Sequence, residues 1–136
     1  MTTSHTPARA LFADGARLLR VALRLDAAVT GVNGLAYLAL AGPLHDLLGL
    51  EAAPSRALGA FLLLYAAAVW AVSLRPRPLA VTAVVEANVV WTVLSLATAA
   101  MGWLSLNAVG VTWAVLQAAV VAGFAALQYT ALRRTR

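Results

Sequence analysis

Four long apolar stretches constrain the fold of this chain more than any other feature of its sequence. They lie at about residues 21–41, 57–74, 79–101 and 108–132, and few charged side chains interrupt them. A helix needs about 20 mostly apolar residues to cross a bilayer, so each stretch is long enough to be a transmembrane helix. The sequence therefore predicts an all-α polytopic membrane protein, an antiparallel bundle of four transmembrane helices.

The segments between these spans contain residues that end helices. "LRPRP" at 74–78 ends the second span, because proline lacks an amide donor and restricts the residue before it. "AGP" at 41–43 closes the first span, and "MGWLSLN" at 101–107 links the third to the fourth. We expect residues 1–16 to form an N-terminal tail and residues 17–136 to form the four-helix domain.

The loop after the first span is predicted to contain a short helix of its own. Pro43 suits the start of such a helix and Gly49 suits its end. The leucines between them would lie on the bilayer surface, with His45, Asp46 and Glu51 facing water.

The composition excludes several kinds of site. Hydrophobic residues make up 62% of the chain and charged residues 11%, whereas a soluble domain is about half apolar and about a quarter charged. The chain contains no cysteine, and its two histidines lie in the tail and a loop, so we expect no disulfide, no metal site and no cofactor. It also lacks the motifs of phosphate-binding loops, zinc proteases and serine hydrolases.

The arginines predict how the protein is oriented. Cytoplasmic loops of membrane proteins carry an excess of basic residues. Only Arg56 falls in the two loops that follow the first and third spans, and the other nine arginines lie at the two termini and in the middle loop. The sequence therefore predicts that both termini are cytoplasmic. The nine are Arg9, Arg17, Arg20, Arg24, Arg75, Arg77, Arg133, Arg134 and Arg136.

The net charge of +5 does not indicate nucleic-acid binding here. The arginines flank apolar spans, where they anchor helices to phosphate headgroups, so the bilayer is the expected partner. Arginine without any lysine, together with abundant alanine, leucine and valine, is typical of a GC-rich bacterial genome. We therefore expect the protein in the bacterial cytoplasmic (inner) membrane.

The first span carries polar residues on one face. Asp26, Thr30, Asn33 and Tyr37 follow one another at helical spacing, so a helix presents all four on the same side. Such a face is not expected to lie against lipid chains. It is predicted to face the other helices or a wet cavity.

The third span carries polar residues on two faces. Asn88, Thr92 and Ser95 form one stripe, with Trp91 beside it. Glu86 points about 200° away from Asn88, at about 100° per residue. This pattern favours a helix packed between neighbours.

The depths of these groups suggest a common polar region. Asp26 and Glu86 both fall in the inner half of the bilayer, and Tyr65 reaches a similar layer. In the fourth span, Gln128 lies below this layer and Gln117 lies nearer the middle of the membrane. A buried carboxylate needs a partner or stays protonated. Two arrangements remain open: the two acids meet and share a proton, or Asp26 pairs with an arginine such as Arg20 or Arg24.

The segment "LLRVALRLDAAVTGVNGL", residues 18–35, followed by three more spans, resembles the small four-helix membrane proteins of the DoxX-like type. This resemblance implies an accessory or quinone-linked redox role. "EANVVW" at 86–91 and Asp26 show a looser similarity to the sterol-isomerase and sigma-receptor type of four-helix fold. That similarity implies an intramembrane pocket for lipophilic amines or sterols.

The leading functional hypothesis is a pocket in the cytoplasmic half that binds a lipophilic small molecule, with acid–base transformation of that molecule left open. Asp26 and Glu86 would act as acid and base or as counter-ion to a cationic group. Six further residues would orient or enclose the ligand: Thr30, Asn33, Tyr65, Asn88, Trp91 and Gln117.

Two other functions stay open from the sequence. A proton-coupled small-molecule transporter or channel would need a polar path to the outer face through Tyr37, Thr112 or Gln117. A non-catalytic accessory subunit of a membrane redox complex would have Asp26 ion-paired across an interface. Either way, the chain is expected to form a homo-oligomer.

Overall fold

The chain folds into five α-helices in a computed structural model that describes residues 7–135, with side chains from residue 14 onward. The helices are α1 (Pro7–Ala39), α2 (Ala41–Leu48), α3 (Ala52–Leu74), α4 (Pro78–Met101) and α5 (Ala108–Arg134), with a short 3₁₀ turn at Trp103–Ser105. The described residues contain no strand, so the predicted all-α fold is confirmed. His5 and Arg136 lie outside the described residues.

Local chemistry explains where several helices begin and end. Pro78 occupies the first turn of α4, where a missing amide donor costs nothing. Gly102 ends α4 and Gly49 ends α2, both in the left-handed conformation, at φ 70° and φ 79°. The side chain of Asn107 caps α5 by accepting a hydrogen bond from the Gly110 amide at 2.8 Å.

Three helices, α3, α4 and α5, are long and apolar enough to cross a membrane. Residues 14–39 of α1 together with α2 make a fourth candidate span, which bends by 95° where the two helices join. Many leucines and valines on these helices are exposed at the surface of the bundle, as expected for a surface that lipid covers. These features are those of a multi-pass membrane protein.

α1 is the central element of the packing. It makes its most extensive contacts with α3 and also packs on α5, while α4 packs mainly on α5. α3 and α4 contact one another very little. The helices therefore surround an interior that all four long helices line.

Two apolar cores lie at opposite ends of this interior. The core at the terminal end, where residues 14–20 and 131–135 lie, is built from Leu19, Leu23, Ala27, Val69, Val81, Val84, Ala131 and Leu132. The core at the loop end, where α2 and the 3₁₀ turn lie, is built from Tyr37, Leu48, Leu50 and Leu62. The buried polar side chains of Asp26, Asn88 and Gln128 lie next to the core at the terminal end.

Asn107 holds the loop end together. Its backbone amide donates to the Leu48 carbonyl oxygen at 3.0 Å, and its side-chain amide donates to the Leu47 carbonyl oxygen at 3.1 Å. These bonds satisfy carbonyl groups at the end of α2 that have no partner within the helix. They tie α2 to the start of α5.

α1 and α3 approach closely at a pair of glycines, Gly34 and Gly59. A Cβ atom added to Gly59 would lie 2.7 Å from the Gly34 carbonyl oxygen and 2.7 Å from the Leu38 amide nitrogen. Both neighbours are backbone atoms, so they can move only if the helices separate. Small residues at such crossings let helix backbones pack closely within a membrane.

We expect Gly59→Ala to lower the free energy of unfolding by about 1–3 kcal/mol, because the added methyl group overpacks the crossing. The matched control is Gly123→Ala in α5, where nothing lies within 4 Å of an added Cβ atom. Alanine favours a helix over glycine by about 1 kcal/mol, so the control variant should be neutral or more stable. Denaturant unfolding in detergent micelles measures both. Equal effects of the two substitutions would contradict the described crossing.

Candidate functional site

Asp26 lies at the centre of the polar layer. Its side chain is only 1% exposed, and α1 directs it toward the helices on both sides. The Thr30 hydroxyl, one turn later on the same helix, donates a hydrogen bond to Asp26 Oδ1 at 3.0 Å. This pair confirms that the polar face of the first span points inward.

Two side-chain amides from other helices complete the surroundings of this carboxyl group. Asn88 Nδ2 of α4 and Gln128 Nε2 of α5 each donate to Asp26 Oδ2 at 2.8 Å. Asn88 Nδ2 also donates to Gln128 Oε1 at 3.0 Å, and the Tyr65 hydroxyl of α3 donates to Asn88 Oδ1 at 2.9 Å. All four long helices therefore contribute to one hydrogen-bond network.

The hydrogen bonds of the Asp26 carboxyl group all come from neutral side chains. Asp26 only accepts hydrogen bonds, and its three partners are all donors. None of these partners carries a positive charge, and the one salt bridge among the described residues joins His45 to Asp46. No cation among the described residues therefore pairs with the carboxyl group at the centre of the layer.

The ion pair considered between Asp26 and Arg20 or Arg24 is not formed within the described part of the chain. Arg24 turns away from Asp26, donates from Nε to Ser73 Oγ at 3.4 Å, and lies over the Trp70 ring at 5.3 Å. Arg20 is exposed. Arg24 thus finds its partners on α3 near the terminal end of the bundle, which leaves the carboxyl group to the amides.

The expectation that Asp26 and Glu86 meet in one enclosed space is wrong. Glu86 is exposed on α4, and no described residue forms a hydrogen bond or salt bridge with it. The reason is helix geometry, since a residue about 200° from Asn88 must face outward once Asn88 faces the interior. Similar depth in the membrane did not bring the two acids together.

A cavity of about 210 Å³ opens beside the Asp26 network. We call it the first chamber. All six residues that the sequence suggested as ligand-binding line it, although their binding role stays a prediction. They are Thr30, Asn33, Tyr65, Asn88, Trp91 and Gln117.

Aromatic rings form a large part of the chamber wall. Phe61 stacks on Tyr65 at 6.2 Å and on Trp91 at 5.9 Å between ring centroids, so the rings bridge the gap between α3 and α4. Trp113 and Phe124 of α5 also line the chamber. Sequence reasoning left out Phe61, Trp113 and Phe124 as chamber residues, although Phe61 precedes Tyr65 by four residues and therefore shares its helix face.

Several polar groups of the chamber keep unused hydrogen-bonding capacity. Asn33 forms no side-chain hydrogen bond with any described residue. Gln117 donates from Nε2 to the Tyr37 hydroxyl at 3.1 Å, and its carbonyl oxygen has no partner within the described chain. The Thr30 hydroxyl uses its proton on Asp26 and retains its lone pairs. The chamber therefore offers free acceptors, together with the free Asn33 amide donors, beside the buried Asp26 carboxyl group.

Apolar side chains that line the chamber also reach the surface of the bundle. Val29, Leu116 and Val120 line the chamber and are also exposed, at 39%, 56% and 49%. An opening with this rim is apolar. Molecules would therefore enter it from the hydrocarbon region of a membrane more readily than from water.

A second cavity, of about 260 Å³, lies next to the first and toward the loop end of the bundle. We call it the second chamber. Trp91, Trp113 and Gln117 line both chambers. Tyr37, which the sequence placed on the polar face of the first span, lines the second.

No family model matches this chain, and neither the curated proteins nor the solved structures contain a match to it. The site is therefore interpreted from its own geometry.

We expect Asp26→Asn to lower the free energy of unfolding by about 1–3 kcal/mol, because the new amide group presents donors to donors and leaves buried groups unpaired. Glu86→Gln is the matched control, since it makes the same chemical change at an exposed position and should alter stability by less than about 0.5 kcal/mol. Denaturant unfolding in micelles measures both variants. A larger loss for Glu86→Gln than for Asp26→Asn would contradict the network.

Proposed function

We propose that this protein binds a lipophilic small molecule with a protonated amine or another hydrogen-bond-donating head, held in the first chamber within the membrane. The protein would lie in the bacterial inner membrane with both termini in the cytoplasm, as its arginines favour. The chamber would then open into the bilayer, and its polar wall would lie closer to the cytoplasmic leaflet.

One observation carries this proposal. The Asp26 carboxylate lies in the centre of the bundle with no cation among its partners, directly behind the side chains that line the chamber. A buried charge acts strongly in surroundings of low dielectric constant. The resulting negative potential favours a cation or a donor group in the chamber.

The chamber wall suits such a head group. Asn33 and the Gln117 carbonyl oxygen supply hydrogen-bond acceptors, while the faces of Tyr65 and Trp91 attract a positive charge. Asp26 itself does not line the chamber. Its contribution to binding would therefore be electrostatic and would pass through Asn88 and Thr30.

Binding is better supported than acid–base catalysis. Asp26 is enclosed by three donors, and Glu86 lies on the exposed side of α4, so no pair of acids faces the chamber. A general base must come within hydrogen-bond reach of the proton that it takes. The described arrangement offers no such contact to a molecule in the chamber.

The other two hypotheses receive less support. Tyr37 and Gln117 line the second chamber, as a transport path would require, but Thr112 is exposed and its hydroxyl bonds to the Ala108 carbonyl oxygen of its own helix. An accessory subunit would have Asp26 paired with a partner protein, whereas the chain itself satisfies this side chain.

The proposal is tested by comparing octylamine with 1-octanol, which share their chain and differ in the head group. We expect wild-type protein in lipid nanodiscs to bind the amine at least about tenfold more tightly than the alcohol, a difference of about 1.4 kcal/mol. Tryptophan fluorescence reports binding, because Trp91 and Trp113 line the chamber. Empty nanodiscs correct for partition into the lipid.

The preference for the amine should disappear in Asp26→Asn and persist in Glu86→Gln. Equal binding of amine and alcohol by the wild-type protein, or loss of the preference in Glu86→Gln alone, would overturn the proposed role of the buried carboxylate.

A second variant separates binding from folding. Asn33 has no hydrogen bond to lose among the described residues, so Asn33→Leu should keep the stability of the wild-type protein. It removes an acceptor from the chamber, and we expect a loss of octylamine affinity of about tenfold or more, as for one hydrogen bond to a charged group. Unchanged affinity in a stable Asn33→Leu protein would exclude this residue from the site.

A further inference from the structure

The proposed head-group site is in the first chamber, which leaves the second chamber without an assigned role. Leucine is the commonest residue in its wall, with Leu48, Leu50, Leu58, Leu94 and Leu106 among them. Thr98, one of its few polar residues, donates its hydroxyl proton to the Leu94 carbonyl oxygen of its own helix. The second chamber therefore suits hydrocarbon.

The two chambers lie end to end along α5. Residues of α5 line them continuously, from Phe124 in the first chamber to Gly110 in the second. At about 1.5 Å per residue this distance is about 21 Å. Together the chambers extend along α5 from the Asp26 network toward the loop end, and both have mainly apolar walls.

One side of the boundary between the chambers is fixed by hydrogen bonds. Trp113 Nε1 and Gln117 Nε2 both donate to the Tyr37 hydroxyl, at 2.8 Å and 3.1 Å. The backbone of Tyr37 is also held, because its carbonyl oxygen accepts a hydrogen bond from Ser55 Oγ of α3 at 2.7 Å. This side of the boundary joins α1, α3 and α5.

The other side of the boundary is Trp91 of α4. No described residue forms a hydrogen bond with its indole nitrogen, and its ring stacks on the half-exposed Phe61. α4 also has little contact with α3. Trp91 is therefore the part of the boundary that can turn without breaking a hydrogen bond.

We infer that the two chambers are one site for an elongated amphiphile, with its donating head in the first chamber and an unbranched alkyl chain passing Trp91 into the second. This inference rests on the proposed function, because it assumes that the head is bound beside the Asp26 network. It adds the shape of the ligand: a single hydrocarbon chain, in contrast to a compact or branched ring system.

The test uses a homologous series of primary alkylamines, from hexylamine to tetradecylamine, and two matched substitutions. Ala114 lines only the second chamber and Ala87 lines only the first. Ala114→Phe should leave hexylamine binding unchanged and weaken tetradecylamine binding by about tenfold or more. Ala87→Phe should weaken both amines. Partition into the nanodisc lipid is the same for the wild-type protein and the variant. It therefore cancels in the ratio of their affinities at each chain length.

The outcomes distinguish the two proposals. If the wild-type protein binds hexylamine no better than 1-hexanol, the proposed function fails, and the inference fails with it. If hexylamine binds preferentially but Ala114→Phe affects all chain lengths equally, or none, the proposed function stands and the elongated site is wrong. Ala114→Leu, a smaller obstruction, gives the same comparison if the phenylalanine variant does not fold.

Discussion

The hydrogen bonds to the Asp26 carboxylate are the interaction on which the interior of this protein depends. Thr30, Asn88 and Gln128 donate to it from three helices, and Tyr65 adds the fourth helix through Asn88. Breaking one partner of such a network leaves charged or polar atoms buried without a partner. The network therefore fixes the rotation of every long helix about its own axis. The chamber beside it results from those rotations.

The helical architecture was predictable because it follows from local properties of the sequence. Apolar length marks the candidate spans, and proline and glycine mark their ends, as at Pro78 and Gly102. The inward face of α1 was also predictable, since Asp26, Thr30 and Asn33 repeat with the period of a helix. These conclusions need no knowledge of how distant helices pack.

Contacts between helices were less predictable. The similar depth of Asp26 and Glu86 in the membrane suggested that they meet. Depth, however, gives no information about the direction in which a side chain points. Once Asn88 faces Asp26, the spacing of Glu86 along α4 turns it to the surface. Similarly, the partners of Arg24 on α3, Ser73 and Trp70, follow from a helix crossing that the sequence of α1 does not specify. The orientation of Glu86 and the partners of Arg24 both depend on which helices pack together.

The apolar rim formed by Val29, Leu116 and Val120 has a consequence for how occupancy would be controlled. A molecule that exchanges through this rim equilibrates with the acyl-chain phase and not directly with the aqueous phase. The fraction of chambers that hold a molecule then depends on the mole fraction of that molecule among the lipids. Diluting a preparation with buffer would release little of it, whereas adding empty vesicles would draw it out.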